Sequence, residues 1–428
     1  MHATKGGRSK QRVANGVMAA LFSLGMALCA HAEPLRFDYL KLLKEAEAQA
    51  GAPGSLLTLD TMPVEARGAW LKKHRGALDG LRTMQALSED ATGAALTSVW
   101  YDIAIGTPDK YARNKDTLPE TARAQDAIEA IVHEARNRQV VILNEAHHVP
   151  FHRVFAGKLA HELRKIGFDY LAAEAFVPDM PMHPAAVSQD MGFYVSEPMY
   201  GAFVRGALRD GWSFVGYDTN PDAATQAEAE RLRETGALGN LMTAIFARNP
   251  KAKVFMYVGY GHAKKQPEAD AEGWKSIATL LRESLAIEPL TIDQSLMYGR
   301  GDVRVDNPLY REAMQRYAPS GPMVLKAATG GYVVSGVTAG SYDMQVFHPD
   351  ETMHATSGRP LWMERQAGLA PRPVPMDMLP ARGRRLIQAF HRDDGPGAIP
   401  ADMVMVEAGK PAPALMLPKG QFRFSYEE

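Results

Sequence analysis

The stretch Gln139-Val140-Val141-Ile142-Leu143-Asn144-Glu145-Ala146-His147-His148 decides the fold. Val140–Leu143 is an unbroken aliphatic run, three of its four residues β-branched, and polar residues bound it on both sides. Such a run reads as a short strand covered on both faces, the kind found in a parallel sheet. Downstream, the period alternates between strand and helix. Residues 150–166 place Phe155, Leu159 and Leu163 on one helical face, and Gly167 stops the helix. Strands follow at 170–173, 214–217, 253–258 and 289–293, and helices at 199–209, 224–249 and 273–284. This alternation predicts an α/β fold with a largely parallel sheet core flanked by helices.

Upstream, residues 33–138 are helical in pattern, with Phe37, Leu40, Leu43 and Ala46 at helical spacing and a last helix over 121–137. The α/β core spans 139–300. Residues 319–428 carry short strand-like runs (323–326, 332–334, 344–347, 403–406) between Gly and Pro clusters, with one helical candidate at 382–391. They read as a C-terminal β-rich domain, and no internal repeat is visible.

Residues 1–32 read as a secretory signal peptide. Lys5, Arg8, Lys10 and Arg12 precede an apolar run from Val17 to Cys29, and Ala30-His31-Ala32 offers a cleavage site. A lipoprotein signal would want Gly or Ala where Leu28 stands before Cys29. The run is too short for a good membrane-spanning helix, and no second stretch reaches that length, so no integral membrane span is expected. The expectation is a soluble exported protein, periplasmic or secreted.

Composition narrows the rest. The 428 residues are 46% hydrophobic and 23% charged, which is ordinary for globular domains. Lys and Arg number 48 and Asp and Glu 49, a net charge of −1 that becomes −5 when the four basic residues of the leader leave. No basic excess exists to hold nucleic acid. The only cysteine lies in the leader, which excludes disulfides, thiolate nucleophiles and Cys-ligated metals from the processed chain. No P-loop, nucleophile elbow, HExxH or CxxCH occurs. Met180-Pro-Met182-His183 offers soft copper ligands, with adaptable packing as the plainer use.

The chemistry gathers at strand ends. Glu145 and His147 follow the first strand, Glu174 the second, Asp218 the third, and His262 the fourth, after Gly259 and Gly261. In parallel α/β sheets, ligands collect at the carboxyl ends of strands. Glu145, His147, Glu174 and His262 suit either of two tasks. They could ligate a divalent metal (Mn, Co or Zn), or an imidazole could take a proton from water while the carboxylates orient it. The plainer alternative has Glu145 capping the next helix and the histidines satisfied by backbone. His148 and His152 share a face if both are helical, and with Tyr260 they could serve haem.

These residues resemble the superfamily that joins erythromycin esterases, the ChaN haem-binding lipoproteins and the Tiki/TraB proteins. The resemblance covers about residues 139–294. Its first motif, GE-x-H, reads here Asn144-Glu145-Ala146-His147, with His152 at the place of a later His; Glu174 matches the second-strand Glu, and Gly259-Tyr260-Gly261-His262 the late strand end. Arg233-Glu234 and Asn240 stand at the spacing of an esterase-branch Arg-Asp…Asn. Asn144 replaces the usual Gly, an exchange expected to alter the turn bearing Glu145, and His148 replaces an Asp. The resemblance implies metal-free ester or lactone opening, metal-dependent peptide hydrolysis, or non-covalent haem binding, according to branch. Arg233, Asn240 and Asp218 would then bind a small-molecule or peptide substrate. An exported hydrolase is the leading reading, a haem- or metal-binding protein the second, and an envelope-interaction protein using its β-rich tail the third.

Overall fold

The computed structural model describes residues 37–428 apart from 52–55, 57, 115, 266–273 and 351; the stretch read as a signal peptide, residues 1–32, lies outside the described residues. Among the described residues the chain begins with helices α1 Tyr39–Ala50, α2 Val64–Leu87, α3 Ala91–Ala104 and α4 Thr107–Arg113. The α/β segment runs β1 Arg123–Asp126, α5 Ala127–Ala135, β2 Val140–Glu145, α6 Phe151–Lys165, β3 Tyr170–Ala173, α7 Pro198–Arg209, β4 Ser213–Gly216, α8 Gln226–Leu241, β5 Val254–Gly259, α9 Ile277–Leu285 and β6 Leu290–Asp293. There follow α10 Pro308–Tyr317, β7 Met323–Lys326, β8 Met344–Gln345, α11 Trp362–Arg365, β9 Ala370–Arg372, β10 Arg384–His391, β11 Asp402–Glu407, β12 Leu415–Leu417 and β13 Phe422–Glu427.

The central sheet has six strands in the order β4-β3-β5-β2-β6-β8, and every pairing is parallel. All residues of β2 and β5 are buried, so both strands are continuous apolar runs apart from Asn144 and Glu145 at the end of β2. Their side chains alternate between faces. Val141, Leu143, Phe255 and Tyr257 meet Phe155 and Leu159 of α6 and Phe203 and Val204 of α7. Val140, Ile142, Val254 and Met256 meet Ala237 and Leu241 of α8 and Ile277 and Leu281 of α9.

The chain leaves β2 toward β3 by way of α6, on one face. It leaves β5 toward β6 by way of α9, on the other face. The connections leaving the neighbouring carboxyl ends of β2 and β5 therefore part to opposite faces, the topology that sets a ligand crevice at such strand ends. Glu145 and Gly259 are register partners at its floor.

The structure corrects the sequence expectations in several places. The helix expected over 121–137 is split: β1 pairs antiparallel with β7, and Asp126 then caps α5 by accepting from the Glu129 amide at 2.9 Å. The helical candidate at 382–391 is β10, the middle strand of an antiparallel sheet ordered β11-β10-β13. Leu386 through Phe390 are all buried there, so no alternation marked it as a strand. In addition, α8 passes into a π-turn at Met242–Phe246 rather than running on to residue 249. The sixth strand of the central sheet, β8, comes from beyond residue 319. The N-terminal helices also pack onto the C-terminal sheet, Tyr39 and Leu40 against Leu386 and Met403. Among the described residues, no helix is long and apolar enough to cross a membrane.

Candidate active site

Strand pleat decides where each acid points. Glu145 has the parity of Val141 and Leu143 and faces the α6–α7 layer. There Arg153, on the first turn of α6, donates from Nε to Glu145 Oε2 at 3.0 Å and from Nη2 to Oε1 at 3.2 Å. Arg153 also donates to the His147 carbonyl at 2.8 Å and to Glu197 Oε2 at 2.7 Å. Glu197 in turn caps α7, accepting from the amides of Met199 (2.7 Å) and Tyr200 (2.8 Å). Burial alone would raise the Glu145 carboxyl, but Arg153 and the hydrogen bond from His147 hold it well below the usual carboxylate range. Glu145 thus does not cap α6; it is one end of a buried ion-pair chain.

His147 Nδ1 lies 2.8 Å from Glu145 Oε1. A carboxylate only accepts, so the neutral ring carries its proton on Nδ1 and presents a lone pair at Nε2. The ring stacks on Tyr194, with centroids 4.1 Å apart and planes 16° apart, and meets Tyr260 edge-on. Its far edge needs Gly259. A Cβ there would stand 2.6 Å from His147 Cε1, 2.7 Å from Nε2 and 3.1 Å from Glu174 Oε2. The missing side chain is what lets β2 and β3 residues meet across β5.

Glu174 faces the α8–α9 layer. Its Oε2 accepts from the Gly259 amide at 2.5 Å and its Oε1 from Arg233 Nη2 at 2.5 Å. Arg233 also grips Asp218, Nε to Oδ1 at 2.8 Å and Nη2 to Oδ2 at 2.6 Å. His262 Nδ1 is hydrogen-bonded to Glu234 Oε1, and its Nε2 lies 3.6 Å from Glu174 Oε1 and 3.4 Å from Arg233 Nη1. Burial opposes charge on Glu174, yet His262 and Arg233 pull its carboxyl down to about 2. Burial likewise opposes charge on His262, but Glu174 and Glu234 push it up to about 9, so it is an imidazolium at neutral pH. The two imidazoles are thus held alike: each gives Nδ1 to a glutamate, and each has its Nε2 near Glu174.

Asp218 and Arg233 join this cluster, but Asn240 does not. It donates from Nδ2 to the Tyr217 carbonyl at 2.9 Å and ties α8 to the end of β4. Asn144, where the resembled motif has Gly, is tied into the turn that bears Glu145. Its Nδ2 reaches Asp293 Oδ1 (2.8 Å) and the Tyr260 carbonyl (2.9 Å), and its Oδ1 accepts from the Gln294 amide (2.8 Å). It knots the ends of β2, β5 and β6 together.

His148 is buried between the hydroxyls of Tyr260 (3.2 Å) and Tyr298 (3.3 Å), with Arg82 of α2 at 3.5 Å. His152 has no exposed surface, and its Nδ1 accepts from the Ala146 amide at 3.2 Å. Its ring lies 5.2 Å from that of His348, which burial pushes down to about 3. Neither His148 nor His152 offers a nitrogen to a haem face, so the residues present do not fit an axial pair. A resident divalent cation does not fit either, because Arg153 and Arg233 already occupy both carboxylates. Among the described residues, no group of three or more His, Cys, Asp or Glu side chains is placed to hold a metal ion. Met180 packs in one core cluster and Met182 against the other, while His183 is exposed, so the Met-Pro-Met-His stretch serves packing.

Sequence reading missed Arg153, Glu197, Tyr194 and Arg82, and gave Glu234 no role. For Arg153 a signal existed: a charge on the apolar stripe of an amphipathic helix beside Phe155 and Ala156 asks for a buried partner.

No protein-family model matches the chain, and no curated protein sequence does. Among solved structures, one titled "Crystal structure of bacterial protein toxins" is 12% identical, covers 69% of each chain and has a TM-score of 0.32. The type III effector HopBA1 is 13% identical over 44% of this chain and 95% of its own, with a TM-score of 0.26. RRSP, a MARTX toxin effector domain from Vibrio vulnificus CMCP6, is 14% identical over 61% of this chain and 62% of its own, also at 0.26. Likeness at this level carries no function across, and what the site does must be argued from its own groups.

Proposed function

We propose that the chain is an exported hydrolase of the erythromycin esterase-like kind, opening an ester or lactone with activated water and no resident metal. One observation carries this reading: His147, oriented by Glu145, presents Nε2 beside Gly259 and Glu174 at the crevice between β2 and β5. A base oriented through its other ring nitrogen is the arrangement general-base catalysis uses. Water bound at Nε2 gives that nitrogen its proton as its oxygen bonds to the carbonyl carbon. The carbonyl π pair moves onto oxygen. Collapse restores the carbonyl and breaks the bond to the leaving oxygen, which takes a proton from the His262 imidazolium. Arg233, fixed by Asp218 and Glu174, keeps the cluster's charge in place. Export rests on the basic-apolar leader at residues 1–32.

The test is a panel of nitrophenyl esters, lactones and short peptides with the purified protein, His147→Ala and Glu145→Gln. The expected result is ester or lactone turnover that falls by about 10²-fold or more in His147→Ala. Turnover unchanged in both variants would overturn the proposal. Turnover of peptides alone, dependent on added metal, would move the reading to the Tiki-like branch.

A further inference from the structure

Tyr260 follows the last residue of β5 at φ +37°, in the left-handed region that side-chain-bearing residues seldom occupy. Its carbonyl is held there by Asn144 Nδ2 at 2.9 Å and the Tyr342 hydroxyl at 3.3 Å. The side chain is 39% exposed, and its ring stands edge-on to His147 with centroids 5.1 Å apart. The hydroxyl oxygen nevertheless touches two buried groups, Arg82 Nη2 at 3.4 Å and His148 Nδ1 at 3.2 Å.

Counting donors gives the arrangement in which every one of these groups is paired. A guanidinium donates and never accepts. His148 Nε2 has the Tyr298 hydroxyl at 3.3 Å and Arg82 Nη1 at 3.5 Å; the hydroxyl can donate and the guanidinium can only donate, so a lone pair on that nitrogen serves both. His148 is buried beside Arg82 and Arg300 and stays neutral. Its single proton is therefore on Nδ1, pointing at the Tyr260 oxygen. That oxygen then accepts from both His148 and Arg82, and both lone pairs are used. In that arrangement its own hydrogen has neither group to go to and is left for a ligand. Asp79 keeps Arg82 in place, accepting from Nη2 at 2.6 Å and from Nε at 2.9 Å, and the guanidinium lies 3.7 Å over the Tyr101 ring.

We propose that the Tyr260 hydroxyl is a substrate-facing hydrogen-bond donor of the cleft. It would meet the carbonyl oxygen of an uncharged ester as that oxygen becomes an alkoxide, and Arg82 and His148 are the positioning residues that aim it. The proposal rests on the hydrolase reading and extends it to a residue from the turn after β5 and to helix α2. A donor aimed in advance at developing charge costs no reorganisation during the reaction.

The experiment pairs kinetics with nitrogen NMR. With 4-nitrophenyl acetate as probe, Tyr260→Phe should lower kcat by about 10²-fold with KM little changed, and should melt somewhat lower because His148 and Arg82 lose a shared acceptor. In protein labelled with ¹⁵N-histidine, His148 should show a protonated Nδ1 and an unprotonated Nε2. If His147→Ala abolishes turnover while Tyr260→Phe keeps it, only the present proposal falls. If the unaltered protein cleaves no ester, the hydrolase reading falls and takes this role with it. A proton on Nε2 of His148 overturns the inference whatever the kinetics show.

Discussion

Gly259→Ala is the most direct test of how the crevice is built. Gly259 sits at φ −83°, ψ 143°, ordinary extended backbone that alanine adopts freely, so any effect comes from space alone. The added methyl would stand 2.6 Å from His147 Cε1. Ordinary contact begins near 3.4 Å, so the ring edge must withdraw by about 0.8 Å (3.4 less 2.6). It has little room, because Nδ1 is held by Glu145 at 2.8 Å and the ring face lies on Tyr194. Glu174 Oε2, at 3.1 Å from the same point, must also give way. Overpacking of this kind costs about 1–3 kcal/mol of stability. A misplacement near 1 Å at the reacting groups costs about 10²-fold in rate. Gly259→Ala should therefore fold, melt a few degrees lower and lose about two orders of magnitude in kcat/KM on the best ester of the panel. Circular dichroism melting and steady-state kinetics read the two effects separately. Full activity in a folded Gly259→Ala protein would refute the placement of His147 at the reacting centre.

Other expected outcomes follow from the same contacts. Arg153→Met leaves Glu145 and Glu197 buried without their shared cation and should cost about 3–5 kcal/mol in denaturant unfolding; a loss below about 1 kcal/mol would contradict the ion-pair chain. Asn144→Gly removes the knot joining β2, β5 and β6 and should cost about 2 kcal/mol or more while lowering turnover, since Tyr260 loses its carbonyl anchor. The pH profile of stability has two limbs. His262, raised from 6.5 to about 9, contributes stability in full below pH 6.5 and loses it as pH rises through 9. Glu174, lowered from 4.5 to about 2, contributes above pH 4.5 and loses its part as pH falls through 2. Melting temperatures across pH should show the alkaline limb flatten in His262→Gln, and Glu234→Gln should move the alkaline fall of kcat/KM to lower pH.

How much of this was legible in the sequence depends on distance along the chain. Glu145, His147, Glu174 and His262 each follow a buried aliphatic run within a few residues, and a parallel sheet brings such positions to one edge whatever the strand order. Asp218 and Arg233 were legible on the same grounds, strand end and helix spacing. The partners that set the chemistry were not. Arg82 lies 66 residues before His148 on a helix whose pattern shows only amphipathicity. Glu197 looks like a helix cap and is one; that it also completes the Arg153 pair is visible only after folding. Asn144 was readable as a departure from a motif, but its partners Asp293, Gln294 and Tyr260 come from two other strand ends. The misread β10 illustrates the same limit: Leu386 and Phe390 stand four apart as on a helix, and only pairing with β11 and β13 makes 384–391 a strand.

The layered charge of the site bears on what it can bind. Glu145 takes its guanidinium from the α6–α7 layer and Glu174 from the α8–α9 layer, so each buried anion is neutralised on its own side of the sheet. A cation bridging the two carboxylates would have to displace both guanidinia. Arg153 would keep only Glu197, and Arg233 only Asp218. Breaking buried pairs of this kind is expensive because the remaining charge stays desolvated. A neutral ester needs no such displacement. On the proposed reading it would meet groups already balanced around His147 Nε2, the His262 imidazolium and the Tyr260 hydroxyl, and charge would appear only as its carbonyl oxygen takes up the electron pair. On the proposed reading the arrangement would disfavour a resident cation and favour an uncharged substrate. Arg153→Met is the perturbation that should invert this preference, since it frees Glu145 to accept a metal such as manganese. If the unaltered protein and Arg153→Met bind manganese alike by calorimetry, the guanidinium is not what guards the carboxylate.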